Sequence, residues 1–327
     1  MFFDQLLKIR LLIWGGNIMK KKVILGLLIA VTMIAFSQEY VRGCFPQPWP
    51  GKQVDLTIEN EGMYFAATIT YPKDIEQPCP AVLLLPGFLG ERDELPVTGT
   101  HVSAEGDRPQ GMFEYLAQEL AKAGYISLRI DYRYSGRSEG YWQDITFSSE
   151  LSDALAALNY LSSNPAVDKN KIAVCGLSMG GALASCLSSN ESVKVVVLWS
   201  AAPELNILEI MVPPEKQAEL NEKGIVTFTL PWGETTTMKK DFFDSLKDAN
   251  PLEEISKFKG PLLSICGSND ALVSPQPQQA LKFLEVHEGE EKLVMLDADH
   301  TFDNFIGPNK VSQAIKETID WLDMYLK

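Results

Sequence analysis

Serine, aspartate and histidine occur in this chain in an order and setting suited to nucleophilic catalysis. The run Gly176-Leu177-Ser178-Met179-Gly180 lies between an apolar strand, Lys171–Cys175, and a helix of small residues, Gly180–Leu187. A serine at such a strand-to-helix turn sits in a strained backbone conformation and needs neighbours without bulk. Gly176 and Gly180 supply that room, and Gly181 lets the helix pack close to the sheet. The turn lifts the hydroxyl out of the sheet, and the first amides of the helix face any negative charge forming beside it.

A serine nucleophile needs a base, and the chain holds three histidines, His101, His287 and His300. An elbow of this kind takes its partners in the chain order Ser, Asp, His, each just past the end of a strand. His300 follows the short apolar strand Lys292–Leu296 and is the expected base. His287 stands in the charged stretch Glu285 to Lys292 and reads as solvated. His101 precedes the serine, in a polar loop that can form a cleft rim. Asp270 closes Gly267-Ser268-Asn269-Asp270 after the strand Pro261–Cys266, where it can orient an imidazole. Glu204, beyond the strand Val193–Trp199, is an alternative acid; Asp297 and Asp299 flank the base, and Asp299 reads as a turn cap. Two backbone N–H donors complete the constellation: Met179, directly after the serine, and Phe88, in the turn Pro86-Gly87-Phe88-Leu89-Gly90 that ends the strand Ala81–Leu85.

The elements that must hold these residues alternate. Val54–Glu59 and Tyr64–Tyr71, around Asn60-Glu61-Gly62, read as an antiparallel hairpin at a sheet edge. The strands Ala81–Leu85, Ile126–Asp131, Lys171–Cys175, Val193–Trp199, Pro261–Cys266 and Lys292–Leu296 follow. They are interleaved with the helices Met112–Ala123, Ser149–Ser163, Gly180–Leu187, Pro277–Glu285 and Lys310–Leu326. Near-continuous apolar strands alternating with amphipathic helices imply an α/β fold, a mostly parallel sheet covered on both faces. Ligands of such sheets bind beyond the carboxyl ends of the strands, where Ser178, Asp270, His300 and Phe88 all fall. One insertion, residues 204–258, breaks the rhythm between the sixth and seventh strands of the sheet. It holds an amphipathic piece, Pro214–Lys223, and two strands, Ile225–Leu230 and Thr235–Lys239, around Pro231-Trp232-Gly233. We expect a helix-and-hairpin cap over the serine, with Trp232 and Trp142 as substrate contacts. The polar loop Glu91 to Gln110 belongs to the same face.

With 327 residues, 46% of them hydrophobic, the chain can bury one large core, so 38–327 reads as a single domain. The formal charge of -14 argues against nucleic acid or an anionic membrane surface as a partner. Met19-Lys20-Lys21-Lys22 followed by the apolar run Val23 to Phe36 and Ala35-Phe36-Ser37 reads as a secretory signal with cleavage before Gln38, which implies export; residues 1–18 fit a start assigned ahead of a true one at Met19. The run is short for a membrane span, and a retained anchor is the alternative. Cys175, Cys186 and Cys266 fall on buried elements and read as inert thiols. Cys44 and Cys79 are the pair available for a disulfide; Cys44, ending Val41-Arg42-Gly43-Cys44, is also a candidate lipid-attachment site, to which Arg42 is ill suited. No Cys, His and carboxylate spacing suggests a metal site.

From Pro80 to Leu326 the chain resembles the α/β-hydrolases, and among them the cinnamoyl (feruloyl) esterase group. The resemblance rests on Pro86-Gly87-Phe88, the run Asp131 to Gly140, the Gly176–Gly181 elbow, Gly267 to Asp270, and Ala298-Asp299-His300-Thr301-Phe302, together with the cap and its hairpin. It implies cofactor-free hydrolysis of a small-molecule or carbohydrate-linked carboxylic ester, short-chain acyl or hydroxycinnamoyl, through Ser178, Asp270 and His300 with Phe88 and Met179 as oxyanion donors. Three departures surround the expected pocket. Pro86 stands where the group usually has His, Tyr134-Ser135-Gly136 replaces a common Gly-His-Gly, and the loop Glu91 to Gln110 is longer. A small serine peptidase or aminopeptidase of the same fold is the nearest rival, and a catalytically inactive binding protein is a rival from another class. The oligomeric state is open.

Overall fold

The computed structural model describes residues 51–327, apart from Glu76, Glu105 and Asp107 and the side chains of Leu208 and Glu209. The expected signal segment and Cys44 lie outside the described residues. Among those described, Cys79, Cys175, Cys186 and Cys266 are free thiols; Cys175 and Cys266 are buried, and Cys186 is half-buried. No described helix is long and apolar enough to cross a membrane.

The strands in chain order are β1 (Gly51–Asn60), β2 (Met63–Pro72), β3 (Cys79–Leu85), β4 (Ile126–Ile130), β5 (Val167–Leu177) and β6 (Val193–Trp199). Then come β7 (Ile225–Thr229) and β8 (Thr235–Lys239), and finally β9 (Leu262–Gly267) and β10 (Glu291–Leu296). Eight of them form one sheet in the order β1-β2-β4-β3-β5-β6-β9-β10. The hairpin β1–β2 turns through Glu61 and Gly62, both at positive φ, and pairs antiparallel to β4. All remaining pairs are parallel. The chain leaves β3 for β4 on one side and returns to β5 on the other, so the crevice between the carboxyl ends of β3 and β5 is the topological switch point where open α/β sheets bind ligands.

The strand residues alternate between two buried faces, as their period of two demands. Val82 and Leu84 face α1 (Met112–Lys122) and α9 (Asn309–Leu326), whereas Leu83 and Leu85 face the layer of α2 (Phe147–Ser163) and α3 (Met179–Leu187). The expected element order holds, and the differences are local. Thr146 caps α2 by accepting from the Ser149 amide at 3.0 Å, so that helix starts at Phe147 rather than Ser149. Asp131, read as a strand residue, lies past the end of β4, with its carboxylate drawn to Arg92.

The insertion is a cap built from α4 (Ile207–Met211), α5 (Pro214–Lys223), the hairpin β7–β8 and α6 (Lys240–Ser245). α7 (Pro251–Lys257) then leads back to β9, and α8 (Gln278–Val286) follows that strand. Along β7, Val226 and Phe228 are buried while Ile225, Thr227 and Thr229 are exposed. The buried set joins Met238, Phe242 and Phe243 in the same apolar core as the helix layer beneath, so the cap is packed onto the body.

Candidate active site

Ser178 follows β5 and precedes α3, with φ 55° and ψ -117°, a conformation costly for any residue with a side chain. The surroundings hold it there. Its amide donates to the Trp199 carbonyl at 2.8 Å, and its own carbonyl accepts from Gly181 at 3.0 Å and Ala202 at 3.2 Å. A Cβ on Gly176 would stand 2.0 Å from the Gly180 carbonyl oxygen, so the elbow closes only around glycine. Among the described residues neither the Met179 nor the Phe88 amide is spent on another protein group, and both residues line the cavity that holds Ser178.

Asp270 and His300 come together as their strand-end positions suggest. Asp270 Oδ1 accepts from the Leu272 and Val273 amides at 2.8 and 2.9 Å, which leaves Oδ2 for His300 Nδ1 at 2.7 Å. The Asp270 side chain is fully buried. With Nδ1 engaged, Nε2 is the imidazole nitrogen left to exchange a proton. His300 and Ser178 line one cavity without a hydrogen bond between them; nucleophile–base bonds are commonly loose without substrate and tighten when it binds. Asp299 caps the turn as expected, its Oδ1 accepting from the Thr301 and Asp303 amides. Asn304, fully buried, donates to the Pro96 carbonyl and accepts from the Thr98 amide, latching the long loop Glu91 to Gln110 onto the His300 turn.

That loop carries residues the motif reading missed. Arg92 binds the Asp131 carboxylate through both its amide and its guanidinium at 2.7 Å, and Arg129 forms an ion pair with Asp93. Both pairs are buried and tie the turn bearing Phe88 to β4. Glu94 reaches back to accept from the Gly87 amide, one residue before the expected donor Phe88. Burial pushes its carboxyl up to about 7 against the lowering effect of the Gly87 and Leu95 amides. In the sequence, Glu91-Arg92-Asp93-Glu94 has the look of a solvated charge run; its one local clue is its place directly after Gly90.

The cavity has a volume of about 770 Å³ and runs from Ser178 and His300 to the cap. Trp232, at the hairpin tip, lines it. Trp142 does not. Its indole donates to Thr236 Oγ1 at 2.9 Å and its ring stands 6.3 Å from that of Phe88, so it joins cap to body and backs the Phe88 side chain together with Phe242. Glu204 lies at the cavity wall paired with Lys282 at 2.8 Å, away from the imidazole that Asp270 holds. His101 is exposed and does not line the cavity. His287 is buried rather than solvated: Nε2 contacts the Gly260 carbonyl at 3.0 Å and the ring packs against Phe258, a local fit that the charged neighbours conceal.

A family model for the prolyl oligopeptidase family, Peptidase_S9, matches residues 112–327. The chain belongs to that family. Among curated proteins, the prolyl oligopeptidase-family chain is 29% identical over 150 residues to the α/β hydrolase domain-containing protein WAV2 of Arabidopsis thaliana, covering 45% of this chain and 44% of that one. It thus spans less than half the length of that relative. Among solved structures, Est1E from Butyrivibrio proteoclasticus, with ferulic acid bound, superposes with a TM-score of 0.63 at 17% identity over 82% of this chain and 99% of that one. Dipeptidyl peptidase 4 of Porphyromonas gingivalis gives a TM-score of 0.58 at 19% identity, over 84% of this chain but 36% of that one. Its family and its fold place the chain in the α/β-hydrolase superfamily.

Proposed function

We propose that this family member is a serine esterase that hydrolyses carboxylic esters through an acyl-enzyme. His300 Nε2 takes the proton of Ser178 as Oγ attacks the ester carbonyl, and Asp270 steadies the imidazolium. The Phe88 and Met179 amides hold the tetrahedral oxyanion. The oxyanion re-forms the carbonyl as the bond between the carbonyl carbon and the alcohol oxygen breaks, the alcohol leaves with the proton from His300, and the acyl group stays on Ser178. Water then gives its proton to His300, its oxygen attacks the acyl carbon, and the acid is released as Oγ regains a proton. The observation supporting this reading above all others is the 2.7 Å contact between buried Asp270 and His300, at the rim of a cavity shared with a strained serine and two unspent amides.

The experiment is a comparison of p-nitrophenyl esters with aminoacyl-p-nitroanilides on the wild type and on Ser178→Ala. Loss of all turnover in Ser178→Ala, with ester cleavage far exceeding anilide cleavage in the wild type, is the expected outcome; full ester turnover in the variant ends the proposal. Peptide cleavage is the second reading, favoured by the family match itself. Anilides cleaved faster than esters would move the assignment there. A protein that neither turns over substrate nor reacts with a fluorophosphonate would be a binding protein on a hydrolase fold.

A further inference from the structure

The cavity that holds Ser178 opens through a collar of exposed apolar side chains drawn from four separate segments. Leu95 comes from the long loop, Ile210 from α4, Trp232 from the cap hairpin and Phe305 from the His300 turn. Ile210 is 52% exposed, Trp232 46% and Phe305 60%, and Ile306, next in the chain, is 80% exposed. Large apolar residues are ordinarily scattered singly over a surface; convergence on one mouth marks a place where apolar material binds. Inside, Leu205, Ile207, Met211, Leu272 and Val273 continue the apolar wall toward the serine.

The polar groups of the wall are largely spent on one another. Asn269 donates to Asp297, Gln279 to the Ser274 carbonyl, Thr301 to Asn304 and the Trp232 indole to Glu234. Few are left to recognise the hydroxyls of a sugar or a phenolic acid. Charge sharpens the picture. No Lys or Arg lines the cavity among the described residues, whereas Glu94 and Glu234 do. A Cβ built on Gly87 would be 3.4 Å from Ser178 Cβ and 3.6 Å from Glu94 Oε1, so that carboxyl lies within about 7 Å of the nucleophile's Cβ. An anionic substrate arm would enter a low-dielectric space already holding carboxyl groups, with no cation to meet it.

Resting on the esterase reading above, we propose that the substrate is a neutral ester with a medium-to-long hydrocarbon arm, laid along the cavity and out across the collar, and that esters carrying a free acid are rejected. The volume of about 770 Å³ is that of a site for a drug-sized ligand, and an acetyl group would leave most of it empty. Each methylene taken fully out of water is worth about a fourfold gain.

The test is kcat/KM, below the aggregation limit of each substrate, for p-nitrophenyl acetate through octanoate and for acetates of ethanol through octanol, with p-nitrophenyl hemisuccinate set against butyrate. We expect at least a hundredfold rise along one series and at least tenfold discrimination against hemisuccinate. Phe305→Ser combined with Ile210→Ser should lower the octyl-to-shortest ratio at least tenfold. Flat series in both directions, or hemisuccinate cleaved as fast as butyrate, overturns the proposal while leaving the esterase reading intact. If no ester is cleaved, that reading falls, and the cavity is tested by tryptophan fluorescence with octanamide and octanoate. Tighter binding of the neutral chain supports the cavity's preference for an uncharged hydrocarbon arm; equal or tighter binding of the anion refutes it.

Discussion

Gly180 offers a direct test of how the two proposed amide donors are held in register. It is the second residue of α3, directly after Met179, and α3 stands close against the end of β3. A Cβ at this position would lie 2.1 Å from the Leu85 carbonyl oxygen and 2.4 Å from that of Pro86, both backbone atoms with little freedom to yield. Real Cβ contacts essentially never fall below 3.0 Å, so Gly180→Ala must push the β3 end and the helix apart by about 1 Å. That movement separates Phe88, on one side of the gap, from Ser178 and Met179 on the other. A misplacement of about 1 Å in a reacting constellation costs on the order of 10²-fold in rate, or about 2.7 kcal/mol of transition-state stabilisation. The assay is the second-order rate of fluorophosphonate labelling at Ser178, alongside kcat/KM on an ester, with far-UV circular dichroism to confirm the fold. Gly307→Ala, where an added Cβ meets nothing within 4 Å, is the matched control and should leave both rates unchanged. Labelling of folded Gly180→Ala within threefold of the wild type would refute the argument that this contact sets the spacing of the donors.

Asp270→Asn keeps the shape of the buried side chain but removes the charge that holds the His300 tautomer; kcat should fall on the order of 10⁴-fold, and a fall under tenfold would remove Asp270 from the mechanism. Asp131→Ala breaks the buried Arg92–Asp131 ion pair, so the protein should lose about 3–5 kcal/mol of stability in urea titrations; an unchanged midpoint would show that the pair does not anchor the loop. The folded Glu94 carboxyl holds its proton up to about 7, against 4.5 when unshielded, so its contribution to stability is complete below 4.5 and is lost as pH rises through about 7. The wild type's stability relative to Glu94→Gln should therefore decline between those pH values, and a difference constant with pH would contradict the burial argument.

Much of the site is legible in the chain because its parts depend on local backbone events. The elbow announces itself through glycines that no other residue can replace at those contacts, and Asp270 and His300 each follow directly after an apolar strand. β6 and α5 match their expected spans, since both have sharp compositional edges: Asn190 to Ser192 before β6, and Pro213 and Gly224 around α5. At Trp142 and His287 the structure departs from the sequence expectation for one reason. An aromatic or a histidine carries no mark of what it will face, and each found its partner, Thr236 or the Gly260 carbonyl, on a segment brought in by folding.

The charge run Glu91-Arg92-Asp93-Glu94 shows where sequence reading stops. In an extended chain four adjacent charges belong in water, and only the apposition of β3 and β4 offers Arg129 and Asp131 as buried partners. Identity and order along the chain, read with the two periodicities of the backbone, determined the parallel sheet, the cap and the strand-end positions of Ser178, Asp270 and His300. Tertiary structure alone decided that a loop of charges would brace the Phe88 turn and that apolar residues from four segments would ring one opening. Burial, charge pairing and surface patches are properties of neighbours in space, and no local pattern records who those neighbours will be.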